Sequence, residues 1–257
     1  IDLDFPSVGA TENIILASVY ADGITKISNA AMEPEIVDLA KFLNKMGAKI
    51  EGAGTNIIKI TGVEKLKDVS YSIMPDRIEA GTLLCAVAIT GGKVKLNKVI
   101  PEHINQILNK LEQTGCEIKI ENKCVCLKAP KKIKAVDIKT MPYPGFPTDM
   151  QSVFASILTI AKGNSVIVEN IFENRYKYVS ELKRMGAKIT VEGRIAVIKG
   201  CKKLSGATVE STDLRGGAAL VVAGLVAKGT TTVNKIGYIL RGYENLDKKL
   251  NSLGAKI

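Results

Sequence analysis

The chain of 257 residues has one histidine and five cysteines (Cys85, Cys116, Cys124, Cys126, Cys201), with no C-x-x-C pair among them. A zinc centre would have too few ligands at useful spacing, so no metal is expected. The "CVC" at 124–126 puts both thiols on one face of a strand, and reduced, packed thiols in a cytoplasmic protein are the expectation. There is no long apolar run. The longest, "AALVVAGLVA" at 218–227, is about half the ~20 residues of a membrane span and lies between Arg215 and Lys228. It reads as a buried helix, so no membrane partner is expected. The opening "IDLDFPSVG" has no initiator Met, basic n-region or cleavage site, and neither a signal peptide nor a translation start is expected there. Aromatics make up only 5% of the chain, and the densest basic stretch, "APKKIKAVDIK" at 129–139, lacks the interleaved rings of a single-strand nucleic-acid binder.

What the chain does have is 46% hydrophobic content, enough for a sizeable core in one large or two smaller domains. Its 36 basic and 26 acidic residues leave a net charge of +10, which favours anionic partners without choosing among nucleic acid, phosphorylated metabolites and membrane surface. Most lysines are scattered, as on a solvated surface.

One phrase recurs: "LNKMGAKI" at 43–50, "LEQTGCEI" at 111–118, "LKRMGAKI" at 182–189 and "LNSLGAKI" at 250–257. Its glycines, Gly47, Gly115, Gly186 and Gly254, are 68, 71 and 68 residues apart, and each follows an earlier glycine (Gly23, Gly92, Gly163, Gly229) by 23 to 25 residues. Before the phrase, "IVDLAKFLNKM", "INQILNKLEQT" and "YVSELKRM" carry apolar residues at helical spacing, so the glycine reads as a left-handed helix stop. After it, "AKITVEGRIAVIKG" and "AKIEGAGTNIIKITG" alternate as hairpins. A more apolar helix and a short strand come earlier in each module. The predicted module is strand, buried helix, strand, amphipathic helix and two strands, giving an α/β protein whose buried helices are enclosed by sheets and outer helices. Four modules are visible, and the last lacks its closing strands. An unpaired sheet edge over a core is costly, so strands from elsewhere are expected to complete it.

Each module enters its buried helix through polar sequence: "FPSVGATEN" at 5–13, "MPDRIEAGT" at 74–82, "FPTDMQ" at 146–151 and "STDLRGG" at 211–217. Helix N-termini offer free amides and partial positive charge to anions. The plain reading of Asp76, Asp149 and Asp213, or of the hydroxyls beside them, is N-capping worth about 1 kcal/mol each. Arg77, Arg215 and Arg241 read equally as surface ion-pair partners. Arg215, however, stands at a helix start, where the dipole disfavours it, which suggests work on a ligand. Pro142, Pro144 and Pro147 flank Tyr143 and constrain the approach to Asp149, as placement of a general base requires. His103 is read as structural or as part of the surface.

Taken together, "SVGATEN", "NAAMEPEIVDLAKFLNKMGAKI", "PDRIEAGT", "PYPGFPTDMQ", "FENRY", "STDLRGGAALVVAGL" and "RGYENLDKKLNSLGAKI" resemble the UDP-N-acetylglucosamine 1-carboxyvinyltransferases, the enolpyruvyl transferases that open peptidoglycan synthesis. The resemblance covers essentially the whole chain. It implies two inside-out α/β barrel domains of three modules each, with a site in the cleft between them. Residues 1–73 would be the third module of the first domain and 74–257 the second domain, with closing strands supplied by an N-terminal part absent here. The implied reaction transfers the enolpyruvyl group of phosphoenolpyruvate to the 3-hydroxyl of UDP-N-acetylglucosamine in the cytoplasm, through a tetrahedral addition intermediate and without a cofactor. By the same resemblance Asp149 would accept the hydroxyl proton, Arg215 and Arg241 would hold the phosphate and carboxylate, Ser7, Val8 and Gly9 would match the nucleotide loop, and Ile171 would touch the sugar nucleotide. Arg175 would be a cleft residue. Phe5 stands where some relatives have lysine, and the family's mobile cysteine loop and early Lys-Asn pair have no counterpart here. With half a site, the chain alone is expected to turn over nothing.

Two other readings are separable. A 3-phosphoshikimate 1-carboxyvinyltransferase would have the same architecture but no need of "SVGATEN", and would bind shikimate 3-phosphate. A basic α/β repeat protein acting on nucleic acid would bind DNA or RNA with steep salt dependence, and gives no reason for a proline-constrained Asp149.

Overall fold

In the computed structural model, which describes all 257 residues, the chain forms two compact units: Ile1–Pro75 with Pro142–Gly145, and Asp76–Met141 with Phe146–Ile257. The first contains α1 (Val8–Ser18), β1 (Ile24–Ser28), α2 (Pro34–Met46), β2 (Lys49–Glu51) and β3 (Ile57–Thr61), with an antiparallel sheet in the order β1-β3-β2. Pro34 opens α2 at the position where a missing N–H costs nothing, and Ile36, Ala40 and Leu43 form its buried stripe. These residues meet Ile15, Ile27, Ile50, Ile58 and Ile60 in the unit's core.

The second unit repeats that plan. It contains α3 (Arg77–Thr90), β4 (Lys93–Asn97), α4 (Asn105–Gln113), β5 (Glu117–Glu121) and β6 (Cys124–Lys128). The next module is β7 (Ile138–Lys139), α5 (Gln151–Leu158), β8 (Asn164–Val168), α6 (Val179–Arg184), β9 (Lys188–Glu192) and β10 (Ile195–Lys199). The last is β11 (Thr208–Glu210), α7 (Leu214–Gly224), β12 (Thr232–Asn234), α8 (Gly237–Leu240) and α9 (Leu246–Ser252). Helices α3, α5 and α7 pack on one another at the centre, where all eight residues of α5 are buried. The sheets β4-β6-β5 and β7-β8-β10-β9 lie outside them. This is the inside-out α/β arrangement expected from the repeats: helices in the core, strands around it.

The register explains the alternation. Pairing Ala196 with Ile167 and Val191, and Ile198 with Ser165 and Ile189, turns Ala196, Ile198, Ile167 and Ile189 inward together, while Ile195 and Val197 on the other face stay exposed. In the last module β12 pairs, in parallel, only with β11, and the residues after Gly254 form no strand.

The recurring phrase is a helix stop of one geometry used four times. Gly47, Gly115, Gly186 and Gly254 have φ between 91° and 111°. In each case the glycine N–H donates to the carbonyl three residues back and the following N–H to the carbonyl five residues back, as in Gly186 to Lys183 (2.9 Å) and Ala187 to Leu182 (3.0 Å). These are Schellman closures, which satisfy carbonyls the helix leaves open. Of the earlier glycines, Gly23, Gly163 and Gly229 are also left-handed, but in the second module that conformation belongs to Gly91, not Gly92. The polar entry sequences are shorter as loops than their composition suggests, because α1 begins at Val8 and α7 at Leu214, so most of "SVGATEN" and half of "STDLRGG" are already helix.

Two glycines of one module separate conformational strain from lack of space. A Cβ on Gly186 would meet nothing within 4 Å, so Gly186→Ala should cost only the left-handed penalty, about 1 kcal/mol. A Cβ on Gly200 would lie 1.7 Å from the Ala161 carbonyl oxygen. Gly200→Ala must push the strand end apart and should cost about 3 kcal/mol or more. Urea unfolding midpoints of the two variants check this, and equal losses would refute the close-packing account.

Candidate active site

Asp76, Asp149 and Asp213 stand at matching module positions, but the structure uses them differently. Asp76 caps α3, its Oδ1 accepting from the N–H groups of Ile78 (2.8 Å) and Glu79 (2.9 Å). Asp213 caps α7 in the same way, through Arg215 N–H (3.0 Å) and Gly216 N–H (2.9 Å). Asp149 caps nothing. It lies inside a 3₁₀ turn, Thr148–Met150, that leads into α5, and the capping expectation fails there because the carboxylate is spent on side chains.

Those side chains are two arginines. Arg175 Nη2 donates to Asp149 Oδ1 at 2.5 Å and Arg215 Nη2 to Oδ2 at 3.0 Å, so each oxygen of one carboxylate holds one guanidinium. The arginine side chains are 16% and 14% exposed against 38% for the aspartate, so the open side of the cluster is the carboxylate's. Burial alone would raise the Asp149 pKa, but the charges of Arg215 and Arg175 and their hydrogen bonds outweigh it and hold the carboxyl below its usual range. The same pairing outweighs the burial of Arg215 and holds that guanidinium's pKa above its ordinary value, with Tyr243 adding to the effect.

Each partner is braced. Arg215 is the second residue of α7, where the dipole opposes a cation, and the Asp149 carboxylate compensates. The two glycines after it permit close approach: a Cβ on Gly217 would come within 2.2 Å of Ser211 Oγ and 2.6 Å of Ile239. The Arg215 guanidinium lies 5.5 Å from the centre of the Tyr243 ring, and the buried Tyr243 hydroxyl shares a 3.0 Å hydrogen bond with Thr82 Oγ1 on α3. The Arg175 guanidinium lies 5.0 Å from the Phe172 ring and also reaches the Thr148 carbonyl at 3.4 Å. Arg215 Nη1 and Arg175 Nε are buried with no hydrogen-bond partner, so neither guanidinium has spent all its donors on Asp149. A site so equipped can hold phosphate or carboxylate groups and accept a proton.

Of the other sequence candidates, Arg241 closes α8, is exposed and makes no hydrogen bond or ion pair. The second guanidinium on Asp149 belongs to Arg175, not Arg241. Ile171 is half-buried on the loop that leads to Arg175, its N–H donating to Glu169 Oε1 at 2.9 Å. Ser7, Val8 and Gly9 belong to the first compact unit. Ser7 Oγ caps α1 by accepting from Ala10 N–H at 3.3 Å, and Gly9 faces open space. Sequence reading missed Tyr243, Thr82 and Glu169. Tyr243 stood in view in "RGYE", but only the fold reveals that its ring lies against Arg215.

Comparison with known proteins gives one consistent answer. Over 255 residues the chain is 58% identical to UDP-N-acetylglucosamine 1-carboxyvinyltransferase 1 of Caldanaerobacter subterraneus subsp. tengcongensis, covering 99% of this chain and 61% of that protein. It is 54% identical over 257 residues to the UDP-N-acetylglucosamine 1-carboxyvinyltransferase of Trichlorobacter lovleyi, covering 100% and 61%. The chain thus spans about six tenths of the length of the curated relatives it matches. Among solved structures, the enolpyruvyl transferase NikO from Streptomyces tendae superposes with a TM-score of 0.86 at 26% identity, over 96% of this chain and 59% of that one. EPSP synthase from Acinetobacter baumannii shares the fold, with a TM-score of 0.78 at 22% identity over 100% and 62%. Residues 1–250 match the family model described as EPSP synthase (3-phosphoshikimate 1-carboxyvinyltransferase), and the chain belongs to that family of enolpyruvyl transferases.

Proposed function

We propose that this chain is part of an enzyme that transfers the enolpyruvyl group of phosphoenolpyruvate to the 3-hydroxyl of UDP-N-acetylglucosamine, a step of peptidoglycan synthesis and so of cell-wall growth, cell shape and division. The relatives at 54% to 58% identity support this choice of acceptor over shikimate 3-phosphate. The observation that carries it is the Asp149 carboxylate held between Arg175 and Arg215. Asp149 takes the proton of the attacking hydroxyl. Arg215, with Arg241 brought in from the end of α8, holds the anionic groups of phosphoenolpyruvate, and Arg175 lines the site. While both guanidinium groups grip it, Asp149 is ionised but a weak base. An anionic substrate competes for the same donors, frees the carboxylate and raises its basicity at the moment a proton must be accepted. Ser7, Val8, Gly9 and Ile171 contact the sugar nucleotide. We place the enzyme in the cytoplasm, a reading supported by its five free cysteines, since thiols stay reduced there.

We further propose that residues 1–73 are one module of a first domain, that 74–257 form the second, and that a preceding segment completes both. Helix α1 occupies the same module position as α5, yet only Thr11, Ile15 and Ser18 are buried on it, while Leu16 and Tyr20 are 51% and 59% exposed. A helix meant for the centre of three modules has one module around it. At the other end β12 has a free edge next to exposed Ile236 and Leu240, as a sheet awaiting two more strands would.

Two outcomes follow. In the full-length enzyme Asp149→Asn should lower kcat by about 10² to 10⁴-fold with the fold retained, the loss expected of a missing proton acceptor; steady-state phosphate release and far-UV circular dichroism check it, and activity within tenfold of wild type would remove Asp149 from that role. The 257-residue chain alone should release no phosphate from the two substrates and should self-associate, and Leu16→Glu with Tyr20→Glu should reduce that association in sedimentation velocity.

A further inference from the structure

Glu169 is fully buried, follows β8 and reaches no surface, so it touches no ligand. Its carboxylate nonetheless collects four donors. Oε1 accepts from Thr140 Oγ1 (2.9 Å) and from the N–H groups of Ile171 (2.9 Å) and Phe172 (3.1 Å), and Oε2 accepts from Thr148 Oγ1 (3.0 Å). Three of these donors come from the two stretches that carry the reactive pair, and the fourth, Thr140, from the end of β7. Thr148 precedes Asp149, while Ile171 and Phe172 start the loop that ends in Arg175, whose guanidinium lies against the Phe172 ring and on the Thr148 carbonyl. The base of the loop is fixed as well: Glu169 N–H donates to the Arg194 carbonyl (2.9 Å), and Asn170 is tied to Thr140 through its own N–H (2.8 Å) and its Nδ2 (3.0 Å).

We propose that Glu169 is the positioning residue of this site: one buried carboxylate, bonded on Oε2 to the Thr148 hydroxyl and on Oε1 to the Ile171 and Phe172 amides, sets the separation of Asp149 and Arg175. A neutral side chain would fill the space, but only a carboxylate offers acceptor sites for four donors and no hydrogen of its own to place. Ring closure runs from Glu169 through Thr148, Asp149 and Arg175 and back along the chain to Phe172. Loosening the Oε2 link lets the two halves drift, and a shift near 1 Å at reacting groups costs about 10²-fold in rate.

The inference rests on the reading of Asp149 as the proton acceptor, and its test is built to fail separately. In the full-length enzyme, Thr148→Val removes the hydroxyl at nearly constant volume, Thr148→Ser keeps it, and Thr148→Ala serves as a second, smaller deletion. Thr148→Val and Thr148→Ala should lower kcat about 10 to 100-fold, with KM for both substrates within about threefold, while Thr148→Ser stays within about threefold of wild type. The acid limb of the pH-rate profile should move to higher pH in the two hydroxyl-free variants, because Asp149 loses part of its hold on Arg175. Arg215, the other cation on Asp149, keeps its own ion pair in these variants. Wild-type kcat with an unmoved acid limb in Thr148→Val, a fall in melting temperature alone, or equal impairment in Thr148→Ser would overturn the positioning role. An Asp149→Asn enzyme that stays active would overturn the acceptor reading instead.

Discussion

A single carboxylate placed between two guanidinium groups is the constraint around which the second compact unit is arranged. Asp149 arrives on the turn before α5, Arg175 on the loop after β8 and Arg215 on the first turn of α7, so three stretches of chain meet at two ion pairs. None of the three would be stable there alone. Arg215 opposes the dipole of its own helix, Arg175 buries most of its side chain, and burial works against the charge on Asp149. Together they offset one another and leave two buried N–H donors unused. Strength within the cluster and readiness for an anion come from the same feature.

The module explains how such a cluster can be built from ordinary parts. The first three Schellman closures turn the chain from an outer helix into a hairpin with the same geometry, and in the second unit the buried helices α3, α5 and α7 meet at one centre. Asn44 and Asn251 reinforce the turn identically: each side chain exchanges two hydrogen bonds with the backbone of the residue six positions on, Ile50 or Ile257. The chain leaves its last helix on the path that leads into a strand in the first module, although no strand forms there. Module geometry is therefore local, written in eight residues, and does not depend on the pairing that follows.

That locality decides what can be read from the letters. Helix stops, strand alternation and buried helices depend on neighbours within a few positions, and they appear in the sequence as spacing: "LKRMGAKI" contains its own closure, and "RIAVIKG" its own facing. The site was legible only in part. Arg215 was singled out by a local conflict, a cation at a helix start, and Asp149 by its prolines and by family resemblance. The pairing of Asp149 with Arg175, the ring of Tyr243 against Arg215 and the hold of Glu169 on the Thr148 hydroxyl join residues 26, 28 and 21 positions apart. Nothing in local spacing encodes such contacts. The shift from Gly92 to Gly91 was invisible for the opposite reason: two adjacent glycines are equally able to adopt the left-handed conformation, and the hydrogen bond of each N–H to the Val87 carbonyl leaves composition no basis for choosing.

The divergence of three equivalent aspartates shows how a repeat acquires one site rather than three. In α3 and α7 the aspartate sits just outside the helix, and its carboxylate is consumed by the first free amides. Before α5 the chain makes a 3₁₀ turn after Pro147, with Met150 N–H donating to the Pro147 carbonyl, so the aspartate lies within the turn and cannot fold back onto the next amides. Its side chain is released outward, where Arg175 and Arg215 meet it. The capping carboxylates are spent on backbone amides, whereas a carboxylate held by two guanidinium groups can exchange them for an anion and recover its basicity. A change of turn by a single residue's worth of geometry separates a structural aspartate from one able to do chemistry, and Glu169, which holds the Thr148 hydroxyl of that same turn, is where the distinction is maintained.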